Sequence, residues 1–547
     1  MDIENLKKEF KGELASDEAT KVKFGEDMSI FRVAPALVAF PKDVDDVKAL
    51  VRFVREEKKK DPGVSLTARS AGTDMTGGPL NESVIASFTE HMNQVKEVND
   101  RYAVVQPGVY YRDFEKLLDE RGVMYPPYPA SKDLCALGGM VSNNSGGEKT
   151  LEYGKTEEYV ERVNLVLADG EEHVFEPLEG EKLKAKLEEK GYEGDLYRKL
   201  HALIERNYDA IKKAKPDVSK NSAGYYLWNV WDRGTGVFDV TKLITGSQGT
   251  LGLLTEAKLR LVPKKKYSRL AVIFAKSLDP VPNLVKAILP LRPESIESYD
   301  DRTLSLALEF FPSLLKLMKG SIVTLAFQFL PELLMVVKGG FPKMVILVGM
   351  TSDDEDDLVR RMRALETKAL AFPVQVRLIH TDAEAEKYWT IRRQSFALIH
   401  SHAKGKYAAA FVDDVIVKPE HMPEFLPQVN AVLDRYKSKL IYTIAGHPGD
   451  GNFHIIPLMD LGDPEVRAAI PKISEEVYDI VLKYKGSITA EHNDGIVRTP
   501  YLEKMYGKEI TGLFGEVKDI FDPEHLFNPG KKTGGDLDYA MRHVRES

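Results

Sequence analysis

The chain has 547 residues, more than one ordinary core holds, so two or three domains are expected. Its 43% apolar and 29% charged content is that of a soluble globular protein, and 76 basic against 84 acidic groups leave no basic domain to serve a nucleic acid. A single cysteine, Cys135, excludes an internal disulfide, a cysteine-ligated zinc site and an iron–sulfur cluster built by this chain, and suits a reducing compartment.

The opening MDIENLKKEFKGEL has no apolar core of signal-peptide length, so a cytoplasmic location is expected. DVDDVKALVRFVREEKKK sets Val44, Val47, Leu50, Val51 and Val54 on one helical face, with an acidic start and a basic end. VSLTA, SVIASFT and YAVVQPGV read as short strands. NLVLADGEEHVFEP is a hairpin turning at Asp169-Gly170, and residues 178–215 are charged and helical. LITGSQGTLGLLTEAKLRLVP places a glycine turn between apolar runs, and Lys264–Lys266 marks a boundary. Beyond it RLAVIFA, MVILVGM and FVDDVIV read as strands and DDEDDLVRRMRALETKAL as a helix; LFGEVKDIFDPEHLFNPGKK ends the chain as a helix with a Pro/Gly stop. Strands and helices mix without a long regular βαβ series, which predicts an α+β fold. The most apolar window, residues 322–337, is broken by Pro331 and Glu332 and is shorter than the ~20 residues of a spanning helix. It is either a buried helix or hairpin, or a membrane-surface or partner-docking patch.

Two features point to ligands. Small residues fill LTARSAGTDMTGG (66–78), QPGV (106–109), ALGGMVSNNSGG (136–147) and GSQGTLG (246–252). Successive backbone N–H groups in such loops can cradle phosphate oxygens where side chains would block the approach. No G-x-G-x-x-G or P-loop signature is present, and one such loop alone is as readily a plain turn; several over one α+β region suit a long ligand with a central pyrophosphate. The second feature is AGHPGDGNFH (445–454), where His447 and His454 flank a glycine-rich run that must turn tightly. A metal centre, a proton shuttle and a decorated turn all remain open from these residues alone.

Taken together, FPKDVDDVKALVRFVRE, RSAGTDMTGG, VQPGV, GGMVSNNSGG, YGKTEEYV, GSQGTLG and LFNPGK resemble the flavoprotein family that includes vanillyl-alcohol oxidase, p-cresol methylhydroxylase and the D-2-hydroxyacid dehydrogenases. The pieces keep the family's order over nearly the whole chain. The resemblance implies an FAD-binding domain of the p-cresol methylhydroxylase type, with two α/β subdomains, over 1–265. It also implies a C-terminal α/β cap domain with an antiparallel sheet over 266–515, and a segment 516–547 returning to the FAD domain. It implies non-covalent FAD, with Arg69, Ser70, Ala71, Gly72, Thr73, Asp74 and Met75 around the pyrophosphate. Pro129, Ser131, Gly138, Gly139, Asn143, Ser145, Gly146 and Gly246 would then lie along the cofactor, and Asn528 would close over it. Cys135 reads as a small buried hydrophobe.

GHPGDGNFH and SITAEHNDGIVRTPYLEKMYG resemble the histidine and glutamate-histidine segments of the D-lactate, glycolate and D-2-hydroxyglutarate dehydrogenase branch. The resemblance implies a divalent ion (zinc, manganese or iron) on His447, His454 and Glu491, with His492 as the base, and two histidines with a carboxylate are a recurrent ligand set. On an extended segment Glu491 and His492 would point to opposite sides, so a shared site needs an irregularity, for which Asn493-Asp494-Gly495 is suited. EKYWTIRRQSF resembles the substrate segment and gives Arg392 as a carboxylate clamp; a solvated helix face is the competing reading of Arg392 and Arg393. The implied reaction is oxidation of a D-2-hydroxy acid such as lactate, glycolate or 2-hydroxyglutarate to the 2-keto acid, with hydride passing to flavin N5. Alternatives are a metal-free FAD oxidase of another alcohol and a flavoprotein subunit of an electron-transfer complex. Phe411 stands where dicarboxylate-specific relatives carry a lysine, which Lys404 or Lys406 would have to replace. Glu-His-Asn-Asp-Gly resembles a sub-branch fused to an iron–sulfur module, absent from this chain, so electrons are expected to leave to a separate electron-transfer flavoprotein, quinone or iron–sulfur protein. Residues 310–343 are longer and more apolar than in relatives, and read as a substrate tunnel or as a docking face for a partner or the inner membrane surface.

Overall fold

The structure, a computed structural model, describes residues 3–309, 340–379, 381, 384–393 and 406–546. The apolar window 322–337, most of 310–343, and Lys404 lie outside the described residues, and among the described residues no helix is long and apolar enough to cross a membrane.

Three sheets of four or more strands carry the described residues, beside two two-stranded ribbons. The first has four strands in the order Glu13–Ala15, Leu37–Phe40, Val84–Ser87, Leu66–Arg69, the last three parallel. Helix Val44–Lys58 covers it: Val47, Leu50, Val51 and Val54 are fully buried, and the Asp43 side chain caps its start by accepting from the Asp46 amide. The second sheet has five antiparallel strands, Val95–Val98, Tyr102–Val105, Leu253–Arg260, Val160–Val166 and Glu172–Phe175. The hairpin read from the sequence pairs Val166 with Glu172 around Gly170, whose φ of 81° meets the need for a glycine at that turn. Helices Gly180–Glu188, Tyr192–Arg206 and Tyr208–Ala214 account for the charged stretch.

The third sheet has eight strands, all antiparallel, running Val374–Ile379, Tyr267–Ala275, Met344–Ser352, Ser295–Asp300, Leu440–His447, Asn452–Met459 and Tyr407–Ala408, with Val415–Ile416 also paired to Asn452–Met459. The fold is thus α+β, as the mixed pattern predicts. FVDDVIV departs from its expected strand: only Val415 and Ile416 pair, because Asp414 takes a left-handed φ of 70°. Helix Leu502–Phe521 carries the chain back, burying Leu513, Phe514 and Val517 in the core of the second sheet. Residues 526–528 then run beside the first sheet, where the Leu66 amide donates to the Leu526 carbonyl at 2.8 Å and the Asn528 amide to the Leu66 carbonyl at 2.9 Å.

Gly495 marks the contact between the histidine-bearing segment and the first small-residue loop. Its φ is +53°, and a Cβ there would stand 2.2 Å from Thr76 Oγ1 and 2.3 Å from the Thr76 carbonyl oxygen. We expect Gly495→Ala to cost about 3 kcal/mol or more, since positive φ and a backbone clash add. Gly534→Ala, at φ +64° with nothing within 4 Å of the added carbon, should cost about 1–2 kcal/mol. Denaturant unfolding of the two variants checks the difference.

His173 offers a second test. Its Nε2 lies 2.9 Å from Asp169 and its Nδ1 3.0 Å from Glu193. Burial lowers its pKa, but the two carboxylates outweigh burial and lift it to about 9. A folded-state value above the unfolded value near 6.5 gives stability that is complete below about pH 6.5 and lost as pH rises through 9. His173→Gln should therefore destabilise by about 1 kcal/mol at pH 6 and by less at pH 10, read from unfolding midpoints at the two pH values.

Candidate functional site

A cavity of about 600 Å³ opens between the small-residue loops and the third sheet. Every residue from Arg69 to Met75 lines it, as do Pro129, Ser131, Gly138, Gly139, Asn143, Ser145 and Gly146. Across from them it is lined by Glu297, Arg392, His447, His454, Glu491 and His492. Two expected cofactor residues do not line it. Gly246 sits against Asn144, donating its amide to the Val141 carbonyl and accepting from Asn493 Nδ2 at 2.9 Å. Asn528, fully buried, accepts from Thr67 Oγ1 and donates to the carbonyls of Gly78 and Gln248, so it laces three loops together rather than closing over the cavity.

The first loop is held from within. Asp74 Oδ2 accepts from the amides of Thr76 and Gly78 and from Thr76 Oγ1, while Oδ1 accepts from Asn143 Nδ2 at 3.2 Å, joining two of the small-residue runs. The Arg69 guanidinium turns to the carbonyls of Phe24 and Glu26 and over the Phe24 ring, so it shapes the loop. Ser70 Oγ donates to the Pro107 carbonyl. Gly138 is required by close approach: a Cβ there would lie 2.5 Å from the Pro107 side chain.

The histidines come from one hairpin. Leu440–His447 pairs with Asn452–Met459 so that Ala445 faces His454 and His447 faces Asn452. The period of two then puts His447 and His454 diagonally on one face. Their Nε2 atoms are 3.2 Å apart, and Glu491 Oε2 lies 3.6 Å from that of His447 and 4.0 Å from that of His454. A point equidistant from three atoms so spaced is about 2.1 Å from each, the length of a zinc–imidazole or zinc–carboxylate bond. The remaining oxygen of Glu491 accepts from Lys220 Nζ at 2.7 Å, and Lys220 also pairs with Asp450 at 3.0 Å. A second grouping of Asp414, His454, Glu491 and His492 keeps one donor atom of each within 4.8 Å. Asp414 is the weaker ligand of the two sets, because its Oδ2 already accepts from the amides of Ala490, Glu491 and His492 and from Thr489 Oγ1.

Those contacts supply the irregularity that a shared site needs, beginning just before Asn493. Three successive amides gather on one oxygen, so residues 490–492 bend, and Glu491 and His492 both reach the cavity. Asn493 follows at φ 72° and donates to the Asn143 and Gly246 carbonyls. The Asn-Asp-Gly turn continues the bend and docks it.

Electrostatics at the site follow from burial. His447 Nδ1 is hydrogen-bonded to Glu297 Oε1, and His454 Nδ1 lies 3.2 Å from Asp413 Oδ1. His492 Nδ1 is in ion-pair contact with Asp413 Oδ2 at 2.7 Å, off the line of a straight hydrogen bond, and its ring stacks on that of His454 at 5.0 Å. Burial opposes charge on His447, yet Glu297 prevails and lifts it to about 9. Asp413 and Asp414 do the same for His492, also to about 9. Glu491 is held well below the usual carboxylate range, since Lys220 and His447 overcome its burial.

Arg392 lines the cavity with its Nε 3.2 Å from Glu297 Oε2. Arg393 is no solvated helix residue; it forms a two-pronged pair with Glu148, which also accepts from the Tyr128 hydroxyl. Phe411 is fully buried among apolar neighbours. Cys135 lines the cavity, and burial pushes its thiol up to about 12. Sequence reasoning missed Glu297, Asp413, Asp414 and Lys220. Asp413-Asp414 within an otherwise apolar run was the available signal, because buried charges must find partners.

Residues 35–176 match the family model for an FAD binding domain, and residues 264–532 that for the C-terminal domain of FAD linked oxidases. The chain is 28% identical to a D-2-hydroxyglutarate dehydrogenase of Pseudomonas putida over 95% of this chain and 50% of that protein. It is 26% identical to the glycolate oxidase subunit GlcD of Bacillus subtilis over 92% of this chain and 90% of that one. It thus spans about half the length of the first relative. Among solved structures, 4-ethylphenol oxidase from Gulosibacter chungangensis has a TM-score of 0.68 at 17% identity, covering 96% of this chain and 95% of that one. p-Cresol methylhydroxylase has 0.66 at 16%, covering 96% and 94%; both share the fold. With its two matched domains in this order and a p-cresol methylhydroxylase-like architecture around one cavity, the chain belongs to the FAD-linked oxidase family.

Proposed function

We propose that this chain oxidises a D-2-hydroxy acid to the corresponding 2-keto acid. The observation that carries the reading is the convergence of His447 Nε2, His454 Nε2 and Glu491 Oε2 on one point, in the wall of the cavity lined by the small-residue loops. When bound, FAD along residues 69–75 and 129–146 supplies the two-electron acceptor, and a divalent ion on His447, His454 and Glu491 supplies polarising charge. The donor set fits such an ion: two imidazole nitrogens and a carboxylate oxygen, all buried, with open positions toward the cavity. Cys135, protonated at neutral pH, and a first loop without histidine favour FAD held non-covalently.

The chain's own groups do the rest. Arg392 orients the substrate carboxylate, Glu297 keeping its guanidinium at the cavity wall. His492 takes the hydroxyl proton on the nitrogen not engaged by Asp413. Electrons leave to an acceptor outside these 547 residues, since one cysteine builds no iron–sulfur cluster among them. Phe411 leaves a second carboxylate clamp unfilled at that position, which favours a monocarboxylate over 2-hydroxyglutarate.

Purified protein should be yellow and carry about one divalent ion. Its flavin should bleach on anaerobic titration with one of D-lactate, glycolate, D-2-hydroxyglutarate or longer 2-hydroxy acids. His492→Ala should keep FAD and metal but slow bleaching by about 100-fold or more. His447→Ala should lose metal and bleaching together. Parental bleaching in His492→Ala would remove the base assignment, and unchanged metal content in His447→Ala would remove the ligand set.

A further inference from the structure

We propose that Glu297 and Asp413 are positioning residues that fix the tautomers of His447 and His454. The carboxylates hold Nδ1 of these two rings, and so commit Nε2 of each to the ion. The inference rests on the functional reading above for what Nε2 then does, but not for the lock itself.

The geometry assigns each oxygen. Glu297 Oε1 takes His447 Nδ1, and Oε2 takes Arg392 Nε at 3.2 Å. Asp413 Oδ1 lies 3.2 Å from His454 Nδ1, and Oδ2 lies 2.7 Å from His492 Nδ1. Both carboxylates are almost sealed, with side-chain exposures of 3% and 1%, so water cannot stand in for either acceptor. A neutral imidazole carries one N–H, and a carboxylate facing Nδ1 requires it there. The two Nε2 atoms stand 3.2 Å apart, within hydrogen-bond distance, so without an ion a proton on one Nε2 bridges the rings, and an ion held by both takes that proton's place. Asp413 also stands between a ligand and the base: it is hydrogen-bonded to His454 and in ion-pair contact with His492, whose ring stacks on that of His454 within 15° of parallel. Glu297 likewise ties His447 to Arg392, so the ligand and the carboxylate clamp share one anchor.

Isosteric amides separate positioning from mere packing. In Glu297→Gln the amide oxygen must stay with Arg392, because a guanidinium cannot accept. The amide NH2 then faces His447 Nδ1, which becomes an acceptor and moves its proton to Nε2, toward the ion. In Asp413→Asn only one of the two facing rings keeps an oxygen at Nδ1, so either His454 changes tautomer or His492 loses the negative charge beside it.

Zinc affinity, measured by competition with a chromophoric chelator on the FAD-loaded protein, should fall about 10- to 100-fold in Glu297→Gln with FAD content unchanged. Asp413→Asn should either fall similarly or keep zinc and lose kcat at constant KM. Zinc affinity within twofold of the parent in Glu297→Gln, or parental zinc affinity and kcat in Asp413→Asn, overturns the proposal. Should the parent bind no zinc, the metal reading fails while the lock is still read from 15N-histidine spectra at alkaline pH. An Nδ1–H signature of His447 that changes in Glu297→Gln supports it, and signatures of His447 and His454 unaltered by both substitutions overturn it.

Discussion

Asp414 receives the amide hydrogens of Ala490, Glu491 and His492 and the hydroxyl of Thr489 on a single oxygen, and a backbone so held cannot continue as a strand. This buried carboxylate decides that neighbouring side chains, which a pleat would send to opposite faces, both reach one cavity. Its other oxygen accepts from Asn452 Nδ2, on the strand that also bears His454, so the bend is set against the hairpin carrying the other imidazoles. A charge-assisted acceptor with four donors compensates its own desolvation, which is why the conformation persists in a buried place.

The bend acts only because it is docked. Lys155 donates to the Ala490 carbonyl from the side of the small-residue loops, and Asn493 donates to the Asn143 and Gly246 carbonyls. Lys532, near the C-terminus, pairs with Asp494 at 2.9 Å and donates to the carbonyls of Ser222 and Gly224. Each of these lysines is buried and donates to two backbone carbonyls, an arrangement that is directional where an apolar contact would slide. The wall of histidines and the wall of small residues therefore hold a fixed spacing without a large apolar interface at the cavity itself.

Much of this was legible in the sequence, and the reason is locality. The helix Val44–Lys58, the hairpin at Asp169-Gly170 and the small-residue loops are set by periodicity and turn chemistry within a few residues. The pairing of His447 with His454 follows from a tight turn between two strands. Glu491 and His492 needed the family resemblance, since nothing nearby in the chain announces where they go. Glu297 and Lys220 were invisible because their partners lie 150 and 271 positions away, and an isolated Glu on a strand or Lys in a loop carries no local mark of burial. Asn528 has partners just as distant in the chain. Motif position puts it beside the cofactor loops, but only the fold shows its amide fully used by Thr67, Gly78 and Gln248.

Charge balance links the anchors to the proposed ion. Glu297, Asp413, Asp414, Glu491 and Asp450 are buried in one network, against Lys220, Arg392 and Arg498. Acids outnumber fixed cations, and a low-dielectric site does not tolerate that imbalance. Without a metal, protons on the imidazoles correct it, which is why His447 and His492 rise to about 9 although burial alone would lower them. A divalent ion held by His447, His454 and Glu491 would correct it differently, supplying the positive charge that those protons otherwise bring. His492 would then be released to be neutral, the state the proposed base requires. In the proposed reading the surplus of buried carboxylate is therefore what couples occupancy of the ion site to the readiness of the base, with no movement of the backbone needed.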